Sequence, residues 1–164
     1  MQQARIEALQ RMPIFGGIRA DVLEFLVARS STARVLDGIY FFREGDKAQS
    51  VFVLESGRVA VLKLWEGREH LLSRLGPGDC FGEMALMDLF PRSASVLAEE
   101  PCTALELSTG AFFEIYQKDL EQFALMQMNL GREVSRRLRT ADERLFRMKM
   151  GVPYTGVEGI GRLV

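Results

Sequence analysis

The stretch that decides the fold runs from Gly78 to Val96 and reads GDCFGEMALMDLFPRSASV. It interrupts a series of short strands with a turn, about one turn of helix, a bend and a new strand. A glycine before a short helix lets a ligand approach the backbone, and the free amides of the helix N-terminus suit an anion. Because Glu83 would repel a plain phosphate, the pattern predicts a ligand that presents an anion beside a hydroxyl donor. Arg92 offers a guanidinium fork that matches phosphate oxygens.

Around this stretch, short runs rich in Val, Leu and Phe fill about residues 32–107. Glycines separate the runs at positions 38, 45, 57, 67, 76, 78 and 82. A turn signal roughly every ten residues predicts an antiparallel sandwich or barrel. No helical pattern of ~12 residues lies between the runs, which argues against a parallel α/β sheet.

Both ends of the chain carry helical periodicity instead. In segment 1–30 apolar residues recur at helical spacing, and Pro13 separates two short helices. Ser108 stands where it can cap a helix over 111–116. A proline-free pattern from about residue 120 to residue 150 predicts one long helix. We therefore predict an α+β fold, an antiparallel β-roll or jelly-roll barrel with N-terminal helices and a long C-terminal helix.

The long helix has an apolar stripe with alternating steps of three and four residues: Leu130, Val134, Leu138, Ala141, Leu145 and Met148. Such a stripe is typical of a helix packed on a partner. A helix lying along its own barrel accounts for the first half, and for the second half we predict a homodimer. The tail has four glycines and Pro153 and is predicted to be loosely ordered. The predicted units are 1–30 (N-terminal helical segment), 31–107 (β-roll), 108–150 (hinge and long helix) and 151–164 (tail).

Composition excludes several classes of protein. The chain has 164 residues, enough for one domain, and its net charge of −1 gives no general reason to expect nucleic acid or a membrane as partner. Charged residues stand near the N-terminus where a signal peptide needs an apolar run, so we expect a cytoplasmic protein. Two cysteines, Cys80 and Cys102, and one histidine, His70, do not make a disulfide framework or a zinc site. We expect no metal and no cofactor.

Two motifs at this spacing resemble a known family. FGEMAL at 81–86 and PRSASV at 91–96 are similar to the phosphate-binding cassette, here 81–96, of the cyclic nucleotide-binding domain family, of the catabolite activator protein and cAMP-dependent protein kinase regulatory subunit type. EGD at 44–46 and VFVLESGRVAV at 51–61 resemble the early strands of that family. The resemblance spans about residues 10–148.

The resemblance implies a set of ligand-binding residues. In the cassette these are Phe81, Gly82, Glu83, Met84, Ala85, Arg92, Ser93 and Ala94. Glu83 would accept the ribose 2′-hydroxyl, Arg92 would pair with the exocyclic phosphate oxygen, and backbone amides would complete the cradle. The residues implied to contact the base are Val61, Leu72, Ser73, Ala141 and Asp142. The long helix would close over the base.

The choice between cAMP and cGMP depends on the long helix. Where the bacterial activator places a hydroxyl near adenine, this chain has Ala141 or Asp142. A carboxylate can accept both N1–H and the 2-amino group of guanine, whereas adenine offers only its 6-amino group. A solvated surface charge is the alternative for Asp142. We rank cAMP first and cGMP next.

The predicted function is a cyclic nucleotide sensor that transmits binding through its C-terminal helix to an unknown effector protein. The alternatives are a degenerate domain acting as a protein-interaction module, or a regulatory fragment of a larger transcription factor or channel. We expect no enzyme, because the chain has one histidine and no paired carboxylates at ligand spacing. DNA binding would need a helix-turn-helix for which the remaining residues are too few.

Several residues have a simpler interpretation. The two cysteines are predicted to be core residues, and His70 a side chain at a strand edge. The basic cluster of the long helix is predicted to be its solvated face, not a nucleic-acid stripe: Arg132, Arg136, Arg137 and Arg139.

Overall fold

A computed structural model describes residues 2–153, which form two four-stranded antiparallel sheets flanked by helices. The strands are β1 (Ser31–Val35), β2 (Tyr40–Phe42), β3 (Ser50–Ser56), β4 (Val59–Trp65), β5 (Arg68–Leu75), β6 (Cys80–Phe81), β7 (Ser95–Ala98) and β8 (Cys102–Ser108). The first sheet has the order β1-β8-β3-β6 and the second the order β2-β7-β4-β5. Since neighbours in the sheets are mostly distant in sequence, the chain crosses between the sheets repeatedly, as in a β-roll.

The helices lie before, within and after this roll. They are α1 (Gln2–Gln10), α2 (Ala20–Ala28), α3 (Met84–Asp88), α4 (Thr109–Lys118) and α5 (Leu120–Met150). A 3-10 turn, Pro13–Phe15, joins α1 to α2. The predicted α+β roll with N-terminal helices and a long C-terminal helix is confirmed.

The ends of the last two helices follow ordinary capping chemistry. The Ser108 hydroxyl accepts the amide of Ala111 at 3.1 Å, which confirms the predicted cap. Asp119 caps α5 in the same way, through the amide of Gln122 at 3.1 Å. Gly151 ends α5 in the left-handed conformation, with φ of +65°.

Two apolar clusters hold the fold together. The cluster between the sheets includes Phe52, Leu54 and Phe81. The cluster at the helical end includes Leu23, Met126 and Leu130, and it joins α5 to α2 and to the first sheet. In contrast, every residue of α5 from 141 to 150 is exposed except Arg147, which is partly buried.

Residues interpreted as structural lie where expected. Cys80 and Cys102 are buried and unpaired, and burial raises the pKa of the Cys80 thiol to about 12. His70 is exposed on β5, an edge strand.

Within residues 2–153 no helix combines the length and apolarity needed to cross a membrane, and no cluster of three or more His, Cys, Asp or Glu could hold a metal ion. Most of the predicted tail, 154–164, lies outside the described residues.

Candidate functional site

Gly82 and Arg92 are packed against each other, ten residues apart in the chain. Gly82 has φ of +79°, and a Cβ placed there would lie 2.3 Å from Arg92 Nη1. Because Gly82 has no side chain, the guanidinium can pack directly against its backbone. Arg92 Nη1 donates to the Gly82 carbonyl at 3.1 Å, and the guanidinium carbon lies 4.0 Å from the centre of the Phe42 ring.

Arg92 is a buried cation, with 6% of its surface exposed. Burial lowers the pKa of its guanidinium, while Glu106, Asp46 and Glu83 counteract the shift from a distance. Within residues 2–153 no carboxylate lies within ion-pair distance of Arg92, and its Nε has no hydrogen-bond partner. A buried guanidinium without a counter-anion and with a free donor is an arrangement that an anion would complete.

The backbone of Arg92 is fixed by the loop that follows β2. The Arg92 amide donates to the Asp46 carbonyl at 2.9 Å, and the Gly45 amide donates to the Arg92 carbonyl at 2.9 Å. The EGD motif at 44–46 therefore holds the second half of the cassette in place. Lys63 reinforces this link, because its ammonium donates to both Glu44 Oε1 and the Ser93 carbonyl at 2.6 Å.

Glu83 is also buried, with 5% of its surface exposed, and its partner comes from α5. Arg137 Nη1 donates to Glu83 Oε1 at 2.8 Å, and Arg137 Nη2 donates to the Cys80 carbonyl. Glu133, one turn earlier on α5, accepts from Arg137 Nε at 3.0 Å. Burial opposes the charge of Arg137, but Glu83 and its other neighbours raise the pKa of the guanidinium overall.

The interpretation of Arg137 as part of a solvated face was wrong. The sequence shows an arginine in a basic cluster, but the helix register turns this one arginine toward the cassette. Arg132 and Arg139 are exposed as predicted. Arg136 is partly buried and pairs with Glu133 on its own helix. A signal was present only in the helical spacing, since Arg137 lies seven residues after the buried Leu130.

The other predicted cassette residues lie in different environments. The Phe81 side chain belongs to the core, where it stacks on Phe52 at 5.3 Å between ring centres. Met84 is half-exposed at the start of α3, the helix that also contains Ala85. Ser93 is exposed and Ala94 is buried. Their ligand contacts remain predictions.

The residues predicted to contact the base come from β4, β5 and α5. Val61 pairs with Ser73 across the β4–β5 ladder, and Leu72 is half-exposed beside them. Arg144 of α5 donates to the Leu72 carbonyl at 3.1 Å, which brings the helix to this edge. Ala141 and Asp142 are exposed on α5, within one turn of Arg144. The base contacts themselves also remain predictions.

The fold and the site define a β-roll in which a partly buried glycine lies beside a buried glutamate and a buried arginine, and in which a C-terminal helix contacts the glutamate. Comparison with known proteins identifies the group to which such a roll belongs. The model of the family described as cyclic nucleotide-binding domain matches residues 32–119. The chain belongs to this family.

Individual relatives extend the match beyond the roll. The Cyclic AMP receptor protein of Thermus thermophilus is 34% identical over 131 residues, which are 79% of this chain and 59% of that protein. The crystal structure of Thermus thermophilus Catabolite Activator Protein matches with a TM-score of 0.72 at 30% identity, over 84% of this chain and 63% of that one. The regulatory domain of Toxoplasma gondii PKA with cAMP matches with a TM-score of 0.64 at 27% identity, over 70% and 44% of the two chains. This chain thus spans less than two thirds of these relatives.

Proposed function

We propose that this chain is a sensor module that binds a cyclic nucleotide, cAMP first and cGMP next, and transmits binding through α5. The observation that carries the proposal is the state of Arg92, a buried guanidinium without a carboxylate partner in residues 2–153 and with an unpartnered Nε. An unsatisfied buried donor costs about 1–3 kcal/mol. An anionic ligand that accepts from this donor would recover that energy.

Glu83 selects among anions. Its buried carboxylate follows Gly82 directly in the chain, and where Arg137 does not neutralise it, it would repel a simple phosphate. A cyclic nucleotide has one negative charge on its phosphodiester and a free 2′-hydroxyl on the same sugar. The phosphate can accept from Arg92 while the hydroxyl donates to Glu83. The relatives named for cAMP support the choice of this ligand class.

The test is calorimetric titration of the protein with cAMP and with cGMP. We expect micromolar or tighter binding of at least one, and at least tenfold weaker binding by Arg92→Ala, because a charged hydrogen bond contributes about 1.5–3 kcal/mol. Arg5→Ala is the matched control, since Arg5 is a partly buried arginine of α1 paired with Glu55 at 2.8 Å. Unchanged affinity in Arg92→Ala would refute the phosphate role.

Transmission is proposed to begin at Glu83. The ribose hydroxyl would become a second donor to the carboxylate that accepts from Arg137, so binding would alter the contact that fastens α5 to the cassette. We expect cAMP to change amide hydrogen exchange in α5 beyond residue 134 and to leave residues 122–130 nearly unchanged. An equal ligand-induced change in hydrogen exchange in the two segments would reject this route.

The choice of base is proposed to depend on Asp142. Its exposed carboxylate lies two residues before Arg144, which contacts β5 at Leu72. If Asp142 accepts from guanine, Asp142→Ala should weaken cGMP binding several-fold and leave cAMP binding unchanged. Glu143→Ala is the matched control, because Glu143 pairs with Arg147 on the same helix. Equal effects on both nucleotides would assign Asp142 to the solvated surface.

The exposed stripe on the second half of α5 supports a homodimer. Leu138 is 60% exposed, Leu145 52% and Met148 77%. We expect sedimentation equilibrium to show a dimer that Leu138→Asp converts to a monomer. Ser135→Asp, also on an exposed position of this helix, is the control and should leave the dimer intact.

A second candidate is a regulatory part of a larger protein, favoured by the fraction of its relatives that this chain spans. The effector would then be a segment of the same polypeptide. A domain that folds cooperatively but binds neither nucleotide at millimolar concentration would favour the other alternative, a protein-interaction module.

A further inference from the structure

A serine next to the Arg92 guanidinium, and a glutamate that accepts a hydrogen bond from this serine, have no role in the function described above. Ser50 begins β3 and is buried, and Glu106 lies on the neighbouring strand β8. Arg92 Nη2 lies 3.5 Å from Ser50 Oγ, and Ser50 Oγ lies 2.8 Å from Glu106 Oε1. We propose that Ser50 and Glu106 are positioning residues that hold the Arg92 guanidinium in the orientation that receives the ligand phosphate. This inference rests on the proposed function.

The direction of the hydrogen bonds follows from the chemistry of the serine hydroxyl. A hydroxyl has one proton and two lone pairs, and an ionised carboxylate can only accept. The Ser50 proton therefore goes to Glu106, and a lone pair of Ser50 faces the guanidinium. Glu106 thereby fixes the rotation of the Ser50 hydroxyl, so that Ser50 presents an acceptor to Arg92.

The guanidinium is then held at three places. Nη1 donates to the Gly82 carbonyl, Nη2 lies against Ser50, and one face of the plane lies on Phe42. Nε is the donor that remains without a partner in residues 2–153. Removal of the Ser50 contact would leave the Gly82 carbonyl and the Phe42 ring to hold the guanidinium, with no acceptor at Nη2.

Charge supports the same assignment. Among the carboxylates near Arg92, Glu106 does most to favour the charged guanidinium, ahead of Asp46 and Glu83. Glu106 does so across space, as a charge that makes no ion pair with the arginine, while Ser50 forms the hydrogen-bonded link between the two. Arg92 is therefore partly compensated in the folded chain, yet no carboxylate occupies the donor that a phosphate would use.

The chain supplies a matched control in Ser31. The Ser31 hydroxyl donates to the other oxygen of the same carboxylate, Glu106 Oε2, at 2.9 Å. Ser31 lies on β1, at an exposed position. Ser31→Ala therefore removes a hydrogen bond to Glu106 without touching the link to Arg92.

The experiment measures cAMP affinity by calorimetry in four variants of the whole chain. We expect Ser50→Ala to weaken binding ~3–10-fold, the effect of one ordinary hydrogen bond, and Ser31→Ala to change it less than twofold. In an Arg92→Ala background, Ser50→Ala should have no further effect, because Ser50 acts only through the arginine. A purely structural role would lower the affinity equally in both backgrounds.

The failure of this inference can be separated from the failure of the proposed function. If the wild-type chain binds no cyclic nucleotide, the proposed function and the positioning role are both wrong. If Arg92→Ala weakens binding but Ser50→Ala does not, only the positioning role is wrong. An NMR spectrum of the free protein provides a second measurement that does not depend on ligand binding. The Arg92 Nε–H signal should broaden or shift in Ser50→Ala and stay in place in Ser31→Ala. An unchanged signal in both variants overturns the positioning role.

Discussion

The two halves of α5 are one continuous helix, but they are attached to the protein by different forces. The first half is buried: Met126 and Leu130 are fully enclosed, and Asn129 donates to the carbonyls of Ile14 and Gly16. The second half has exposed apolar residues, and it is fastened to the roll by polar contacts of Arg137 and Arg144. The two halves are therefore held by different kinds of contact, apolar burial in the first and hydrogen bonds of arginines in the second.

This difference bears on how the site could report its ligand. Moving the first half would expose buried apolar surface, which costs about 25 cal/mol of free energy for each Å² exposed. Moving the second half requires exchange of the hydrogen bonds of two arginines, which a ligand or water can replace. The part of α5 that contacts the predicted ligand residues is therefore also the part that is cheapest to displace. The predictions that follow test this contrast, from the largest expected effect to the smallest.

The largest effect is expected in the buried half. Leu130→Ala should lower the free energy of unfolding by about 2–5 kcal/mol, because it deletes a fully buried side chain and leaves a cavity. Chemical denaturation followed by circular dichroism measures the change. Leu145→Ala, on the exposed half, is the matched substitution. At a dilution that keeps the chain monomeric it should stay within about 0.5 kcal/mol of wild type. Similar losses of unfolding free energy in Leu130→Ala and Leu145→Ala would contradict the contrast between the two halves of α5.

The sequence predicts the parts of this molecule that are encoded locally. Turn glycines, strand runs and the 81–96 cassette lie close together in sequence, so their spacing carries the information. The contacts that complete the site do not. Arg137 and Glu83 are 54 residues apart, and Ser50 and Glu106 are 56 apart. These pairs depend on strand register and helix rotation, which no local pattern specifies. Only its seven-residue spacing from Leu130 distinguishes Arg137 in the sequence from the arginines of the solvated face, and that spacing does not identify Glu83 as its partner.

An intermediate effect is expected at the contact that fastens the second half. Arg137→Gln should lower the free energy of unfolding by about 1–3 kcal/mol, because it leaves the buried Glu83 carboxylate without its charged donor. Arg139→Gln, two residues further and exposed, should change it by less than about 0.5 kcal/mol.

The pair can be isolated with a second substitution. In a Glu83→Gln background, Arg137→Gln should cost less than in wild type, because the unpaired charge is already absent. Denaturation of the four proteins gives the coupling energy. Additive losses would mean that Arg137 stabilises α5 through its other contacts, with Cys80 and Glu133, and that Glu83 is not the fastening point.

The smallest effect is expected at the start of the buried half, where Asp119 caps α5. Its carboxylate accepts the amide of Gln122 and pairs with Arg19 at 2.8 Å, and these contacts hold the pKa of Asp119 below its usual range. Asp119→Ala should lower Tm by roughly 2–4 °C near neutral pH. Because the pKa is lower in the folded chain, the stabilisation is present above about pH 4 and disappears as the pH falls through the folded value.

Asp119→Asn separates the cap from the charge. Asparagine also caps helices, so this variant should keep most of the neutral-pH Tm that Asp119→Ala loses. It has no titrating group, so the Tm difference between Asp119→Asn and Asp119→Ala should not depend on pH in the acid range. If Asp119→Asn instead loses as much stability as Asp119→Ala, the ion pair with Arg19, and not the cap, holds this end of the helix. The buried half of α5 would then also begin with a charge contact, and the contrast between the halves would be confined to residues 122–130.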